Sequence, residues 1–249
     1  MTEELSIGGQ LFSKVLNKAL LIPGMTVNRE DFLINHLPHY YQRLGDELLS
    51  KGPVQAGIDP KELYKIGKAT INYHTAIATC ISAGLGLPGG IAMAGTVPAD
   101  LAQYYAQLLI MAQKLAYLYG FPDLKKNSDE MKTVLLLGFL AIMFGQSGSD
   151  LAKVVIQNYS KQWGKVILKS GGTKTTIYQA INLCAKLLGF DKLGKKAAAN
   201  VLHKSIPIIG GIVSGVFTLG TFKPSGNKFN NYFFKEATKF KKETQKQSL

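Results

Sequence analysis

The chain has 249 residues, 46% of them hydrophobic and only 18% charged, with a mean hydropathy of +0.07 and a formal net charge of +13. A chain of this length can bury a large core as one helical domain or two small ones, and its apolar balance fits either a greasy interior or an intimate relation with a bilayer. The acids in the opening MTEELSIGGQLF argue against a secretion signal; Cys80 and Cys184, in apolar surroundings without CxxC spacing, read as buried free thiols of a reducing compartment, not as a disulfide or a metal site.

The pattern is helical almost throughout, with no strand-like alternation. An amphipathic helix is expected from about Gln10 to Leu21, stopped by Ile22-Pro23-Gly24. Thr26 or Asn28 caps a second one through Asp31, Leu33 and Leu37. Asp59-Pro60-Lys61-Glu62 opens a third, with Asp at the cap, Pro in the first turn and Glu two residues beyond it. That helix is expected to carry Leu63, Ile66, Thr70, Tyr73 and Ile77 on one face and Lys61, Lys65 and Lys68 on another.

Residues Ala69 to Ala99 form 31 positions without a formal charge, long enough to span a bilayer. Glycines 84, 86, 89, 90 and 95 with Pro88 break the run, so it reads as two packed segments joined by a glycine-rich turn. A long helix then starts at Val97-Pro98-Ala99-Asp100 and stops at Gly120, with Pro122 just beyond. Asp100, Gln103, Tyr104, Gln107, Met111 and Lys114 make a polar stripe along it. The stripe has two readings: Asp100 caps its own helix, or the stripe lines a cleft or docks a headgroup. The candidate cleft comprises Gly86, Pro88, Gly89, Gly90, Pro98, Asp100, Gln103, Tyr104 and Gln107.

Two further uncharged runs, Thr133 to Ser149 and Ser205 to Phe222, sit at the short limit for spanning and read better as buried or peripheral helices. Ser147 to Asp150 is a capping box for a helix to about Lys169, and a loop at Ser170 to Thr173 precedes a helix through Ile181 and Leu188. The end of the chain, from Lys228 to Leu249, is a basic amphipathic helix aligning Phe229, Tyr232, Phe233, Ala237 and Phe240. It reads either as a membrane-surface element, touching lipid through Phe229, Tyr232, Phe233, Lys235, Lys239 and Phe240, or as a tail latched by its aromatics. A domain over residues 1–227 with an appended tail over 228–249 follows, and cutting the tail away is expected to leave the core folded.

Charge is segregated. Residues 1–124 hold nine Lys/Arg against ten Asp/Glu, a balance of −1, and residues 125–249 hold twenty against six, a balance of +14. Every base in the second half is lysine. Nucleic-acid readers lean on the bidentate geometry of arginine, so nucleic acid is not an expected partner; an all-lysine field suits an anionic membrane surface, or serves only to keep a greasy protein in solution.

Motifs of chemistry fail on inspection. Gly84 to Gly89 matches GxGxxG but has helical flanks, and Pro88 removes an amide from the cradle. Gly189 to Lys196 nearly spells a phosphate-binding loop, but Lys196 stands where a hydroxyl must reach magnesium. His36 and His39 read as exposed residues, and His74 and His203 as core histidines. No catalytic residue, metal site or cofactor is expected.

The stretch LPGGIAMAGTVPADLAQYYAQLLIMAQKLAYLYGFPDL resembles the central signature of the EcsC family, and GFLAIMFGQSGSDLAK, SIPIIGGIVSGVFTLGTFKP and LLIPGMTVNREDFL resemble its other blocks, in the right order from about Leu20 to Lys235. The resemblance implies a mainly bacterial, all-helical protein, cytoplasmic or membrane-associated. It brings no established catalytic residues, and although some relatives carry a bacteriochlorophyll vinyl-reductase label, nothing here resembles a flavin, iron–sulfur or nicotinamide site. The expectation is an all-α, compact bundle of helices with glycine-rich apolar hairpins, non-enzymatic and peripheral to the membrane at the cytoplasmic face. The alternatives are a lipid- or isoprenoid-binding protein, enzymatic or not, with an apolar cavity near Asp100, and a membrane-perturbing effector; the protein partner is left open.

Overall fold

Several helices of this chain begin where a side chain takes up the free amide hydrogens of a first turn. A computed structural model describes residues 4–85, 99–145, 147, 151–153, 155, 174–192 and 215–247. Helix α1, Ile7–Leu20, starts at Ser6, whose hydroxyl accepts from the Gly9 amide. It buries Phe12, Val15, Leu16 and Ala19, one stripe at helical spacing. Helix α2, Arg29–His36, is capped by Asn28, which accepts from the amides of Glu30 and Asp31. A 3-10 turn, His39–Leu44, leads into α3, Gly45–Lys51.

Helix α4, Pro60–Leu85, opens on Asp59, whose carboxylate accepts from the Lys61 amide at 2.8 Å. Its buried face is Leu63, Gly67, Thr70, Ile71, His74 and Ala78. Tyr73, placed by the sequence on the apolar face, is 60% exposed, because the inward side is turned by close approach to another helix at Gly67 and Ile71. Cys80, expected to be buried, is exposed on the same helix; Cys184 is buried.

Helix α5, Ala99–Leu118, is the axis of the bundle. Ala106, Leu108, Leu109, Met111, Ala112, Leu115, Tyr117 and Leu118 are fully buried, and they span every side of the helix. It ends at Gly120, whose φ of 92° lets the chain turn back at little cost. Helix α6, Asp129–Met143, is capped by Ser128 and buries every residue from Val134 to Met143. Helix α7, Lys174–Leu187, and the long α8, Gly215–Gln247, follow in the second half of the chain.

Helix α8 lies along α4, and both rest on α5; α1 lies between α5 and α7, and α6 touches α5, α7 and α8. The described residues contain no strand, and the fold is an all-α, compact bundle. No helix among them is long and apolar enough to cross a membrane. Helix α8 runs without interruption through residues 227 and 228, where the sequence suggested a domain limit. The glycine-rich turn at 86–98, the capping box at 148–150 and the run at 205–214 lie outside the described residues.

Candidate functional site

Two constellations follow from this architecture: the polar stripe of α5 and the lysines of α4 and α8. Of the candidate cleft, Gly86, Pro88, Gly89, Gly90 and Pro98 lie outside the described residues, and Asp100 lies in the first turn of α5. Gln103 is half-buried. The Tyr104 hydroxyl is paired with the Thr221 hydroxyl of α8 at 2.8 Å, and burial pushes its pKa up to about 12. Gln107 meets the Nδ1 of His74 on α4 at 3.4 Å. Met111 is fully buried where α4 and α8 cross, its methyl against Gly226. The stripe therefore ties three helices together through Tyr104, Gln107 and Met111.

Its far end is more polar. The Lys114 ammonium stands 5.7 Å from the Phe32 ring and 5.9 Å from the Tyr73 ring, a half-buried cation between two aromatic faces. Desolvation lowers its pKa. His74 beside it is 3% exposed, with a buried Nε2 that has no partner among the described residues. Burial, reinforced by the Lys114 charge, brings its pKa down to about 4, so it is neutral near pH 7. His36 is exposed at the end of α2, and desolvation together with Lys114 lowers its pKa as well. No group of three metal-ligating side chains occurs among the described residues.

The aromatics assigned to membrane contact turn inward. Phe229 and Phe233 are fully buried, with ring centroids 4.8 Å apart. Phe229 packs edge-on against Phe139 at 5.3 Å, and Phe233 stacks on Tyr119 at 6.0 Å. Tyr232 and Phe240 are half-buried. The physical reason is their helical spacing: residues that share a face go together to whichever surface hides them, and here that surface is α5 and α6. Lys235 and Lys239, on the opposite side, are exposed.

Helices α4 and α8 run antiparallel. Lys241 pairs with Asp59 at 2.9 Å, the Tyr64 hydroxyl donates to Asn231 at 2.8 Å, and Lys68 donates to Asn227 at 2.8 Å. The Tyr64 ring lies 5.0 Å from Phe234. This register brings the lysine face of α4 (Lys61, Lys65, Lys68) to the same outer side as that of α8. There Lys228, Lys235, Lys239, Lys242 and Lys246 follow one another at seven, four, three and four residues and are all exposed. None of these five has a carboxylate within ion-pair distance among the described residues. Along this face the Phe234 ring and the aliphatic stems of Lys235, Lys239, Lys242 and Lys246 form a shallow, open and largely apolar depression of about 390 Å³ on the surface of α8.

Sequence reasoning missed the buried polar nodes. Asn230, fully buried, accepts from the Tyr119 hydroxyl at 2.7 Å and donates to the Tyr64 carbonyl at 3.1 Å. Arg29 is 7% exposed and donates to the carbonyls of Phe121 and Leu49. Gln113 joins α5 to Met25 and Val27. The only signal available was a polar residue at an apolar position of its helix, as Asn230 is beside Phe229. Comparison of the chain with protein-family models, with curated proteins and with solved structures gave no match.

Proposed function

We propose that this protein is a non-enzymatic helical protein that docks peripherally on an anionic membrane surface, at the cytoplasmic face, through the lysines of α4 and α8. One observation carries the reading: two antiparallel helices bring eight lysines, spread over residues 61–246, onto one outer face. Each lysine near a headgroup layer contributes about 1 kcal/mol, so a handful engaged together suffices for reversible attachment without any inserted segment. The burial of Phe229 and Phe233 makes this attachment electrostatic and not a matter of aromatic insertion. The lysine-only basic half of the chain and the likeness to the EcsC pattern agree with that reading.

Sedimentation with vesicles tests it. Purified protein should bind vesicles of phosphatidylcholine containing phosphatidylglycerol and not those of phosphatidylcholine alone. Binding should fall steeply as salt rises, because charges are screened over about 8 Å at physiological ionic strength. Changing Lys61, Lys65, Lys235 and Lys239 together to Gln should abolish it while the far-ultraviolet circular dichroism is unchanged. Equal binding to charged and neutral vesicles, or binding indifferent to the fourfold change, would overturn the proposal.

A further inference from the structure

The polar end of the α5 stripe carries a group that neither the packing of the bundle nor the lysine face uses. Lys114 is half-buried on α5. Its ammonium stands 5.7 Å from the centre of the Phe32 ring of α2 and 5.9 Å from that of the Tyr73 ring of α4, so three helices meet around it. Phe32, 3% exposed, is the inner wall of this slot, and Tyr73, 60% exposed, is the outer one. Lys114 makes no hydrogen bond or ion pair among the described residues. The titratable groups that feel its charge are two imidazoles: His36, whose ring lies 4.5 Å from that of Phe32, and His74, whose ring lies 5.3 Å from that of Tyr73. Desolvation and the Lys114 charge hold both histidines below their ordinary range, so the slot is built of aromatic carbon and uncharged imidazole.

A primary ammonium is a compact, strongly hydrated charge with three N–H donors. Here burial strips part of its hydration, and no carbonyl or carboxylate among the described residues replaces the water. Desolvation lowers the pKa of Lys114 accordingly and favours the free amine. The two rings attract a cation through their quadrupoles, whatever number of N–H groups it carries. An iminium therefore suits this slot better than an ammonium. It keeps the charge that the rings attract, needs one hydrogen-bond acceptor instead of three, and brings a carbon body that can lie against Phe32 and Tyr73. We propose that Lys114 is a site of covalent capture for an aldehyde with an apolar, aromatic body. The neutral Nζ adds its lone pair to the carbonyl carbon. The carbonyl oxygen takes up the two protons that the nitrogen gives up and leaves as water, so that C=N replaces C=O, and the imine then accepts a proton from solvent. Nothing is oxidised or reduced. The site is separate from the lysine face and does not depend on membrane docking.

Reductive labelling of the native full-length chain tests it. Benzaldehyde in less than molar amount is added near pH 7 with cyanoborohydride, which reduces each imine to a secondary amine, and the labelled lysines are located by peptide mass spectrometry. Lys114 should be labelled about tenfold or more faster than the exposed Lys239. That lead should vanish in the urea-unfolded chain, and it should shrink as the pH is raised to about 10, where an ordinary lysine also loses its proton. Tyr73→Ser removes the exposed wall, lets water reach the amine and should cut the lead about threefold or more, whereas Tyr73→Phe should keep it. The proposal falls if Lys114 is labelled no faster than Lys239, if its lead survives unfolding or does not change with pH, or if the Ser and Phe variants behave alike.

Discussion

His74 is a buried base whose environment holds it neutral. Its imidazole is 3% exposed, beside Lys114, and its pKa is depressed to about 4 from an ordinary 6.5. The folded state therefore refuses a proton that the unfolded chain accepts below pH 6.5. The stability tied to neutrality is complete above that pH and drains away as pH falls toward 4, at about 1.4 kcal/mol per unit. Urea unfolding at pH 7.5 and pH 5 should show wild type losing about 2 kcal/mol more than His74→Leu. Parallel losses in the two proteins would assign the acid sensitivity elsewhere. The two thiols give a second test at this scale. Cys184 is 1% exposed, donates to the Leu137 carbonyl and has its pKa pushed up to about 12, while Cys80 is exposed on α4. Thiolate, not thiol, reacts, so a disulfide reagent should label one cysteine of the native protein at once and the second only on unfolding. Loss of the fast phase in Cys80→Ser identifies the residue; two fast thiols would contradict the burial of Cys184.

At the scale of elements, the α4–α8 pair is held by close approach. A Cβ built on Gly67 would stand 2.4 Å from the Asn230 side-chain oxygen, and one on Gly226 would meet the Met111 methyl at 2.9 Å. Asn230 cannot retreat freely, because it holds both the Tyr119 hydroxyl and the Tyr64 carbonyl. Gly67→Val should therefore cost about 1–3 kcal/mol of stability by forcing the helices apart. An unchanged denaturation midpoint would mean that the two helices can separate without loss. The aromatic side of α8 carries more. Phe233→Ala empties a fully buried site between Tyr119, Phe121 and Phe229 and should cost about 3–5 kcal/mol. The same burial changes what deletion of residues 228–249 does. Removing Phe229, Asn230 and Phe233 opens the core, so that truncation should unfold the protein instead of trimming a tail. A truncated chain with native cooperative unfolding would restore the view of a separable tail.

For the whole molecule, the governing fact is a balance of −1 in residues 1–124 against +14 in residues 125–249. Ion pairs among the described residues, such as Lys51–Glu47, Lys132–Asp129 and, between the two halves, Lys241–Asp59, are at least partly exposed, and such pairs contribute about 0–1 kcal/mol each. Self-repulsion of the basic half therefore outweighs what salt would take from these pairs. The thermal midpoint should rise by a few degrees as sodium chloride is raised from about 20 mM to about 500 mM, where the screening length shrinks to a few ångströms. A midpoint that falls over this range would show that attractive pairs, not lysine repulsion, dominate. The same screening that steadies the fold should release it from vesicles, so one titration reads both effects with opposite signs.

Much of this protein is local in origin and legible as such. Asn28 and Asp59 accept amides a few residues ahead of them, and Gly120 takes the one positive φ its helix end requires, so a reading of the chain finds these starts and stops without knowing the fold; the caps at Ser6 and Ser128 escape such a reading, and the first helix, expected from about Gln10, begins at Ile7. The segregation of lysines is likewise written in the order of residues. What each face touches is not. Helical spacing puts Phe229 and Phe233 on one side and Lys235 with Lys239 on the other, and either side could meet a partner. Only the presence of α5 and α6 beneath α8 decides that the rings are core. The outward turn of Tyr73 and Cys80 and the meeting of the α4 and α8 lysines depend in the same way on a register between helices more than a hundred residues apart. That register is set by small groups such as Gly67, Asn230 and Gly226, whose effect is felt across the interface and leaves no periodic trace along the chain.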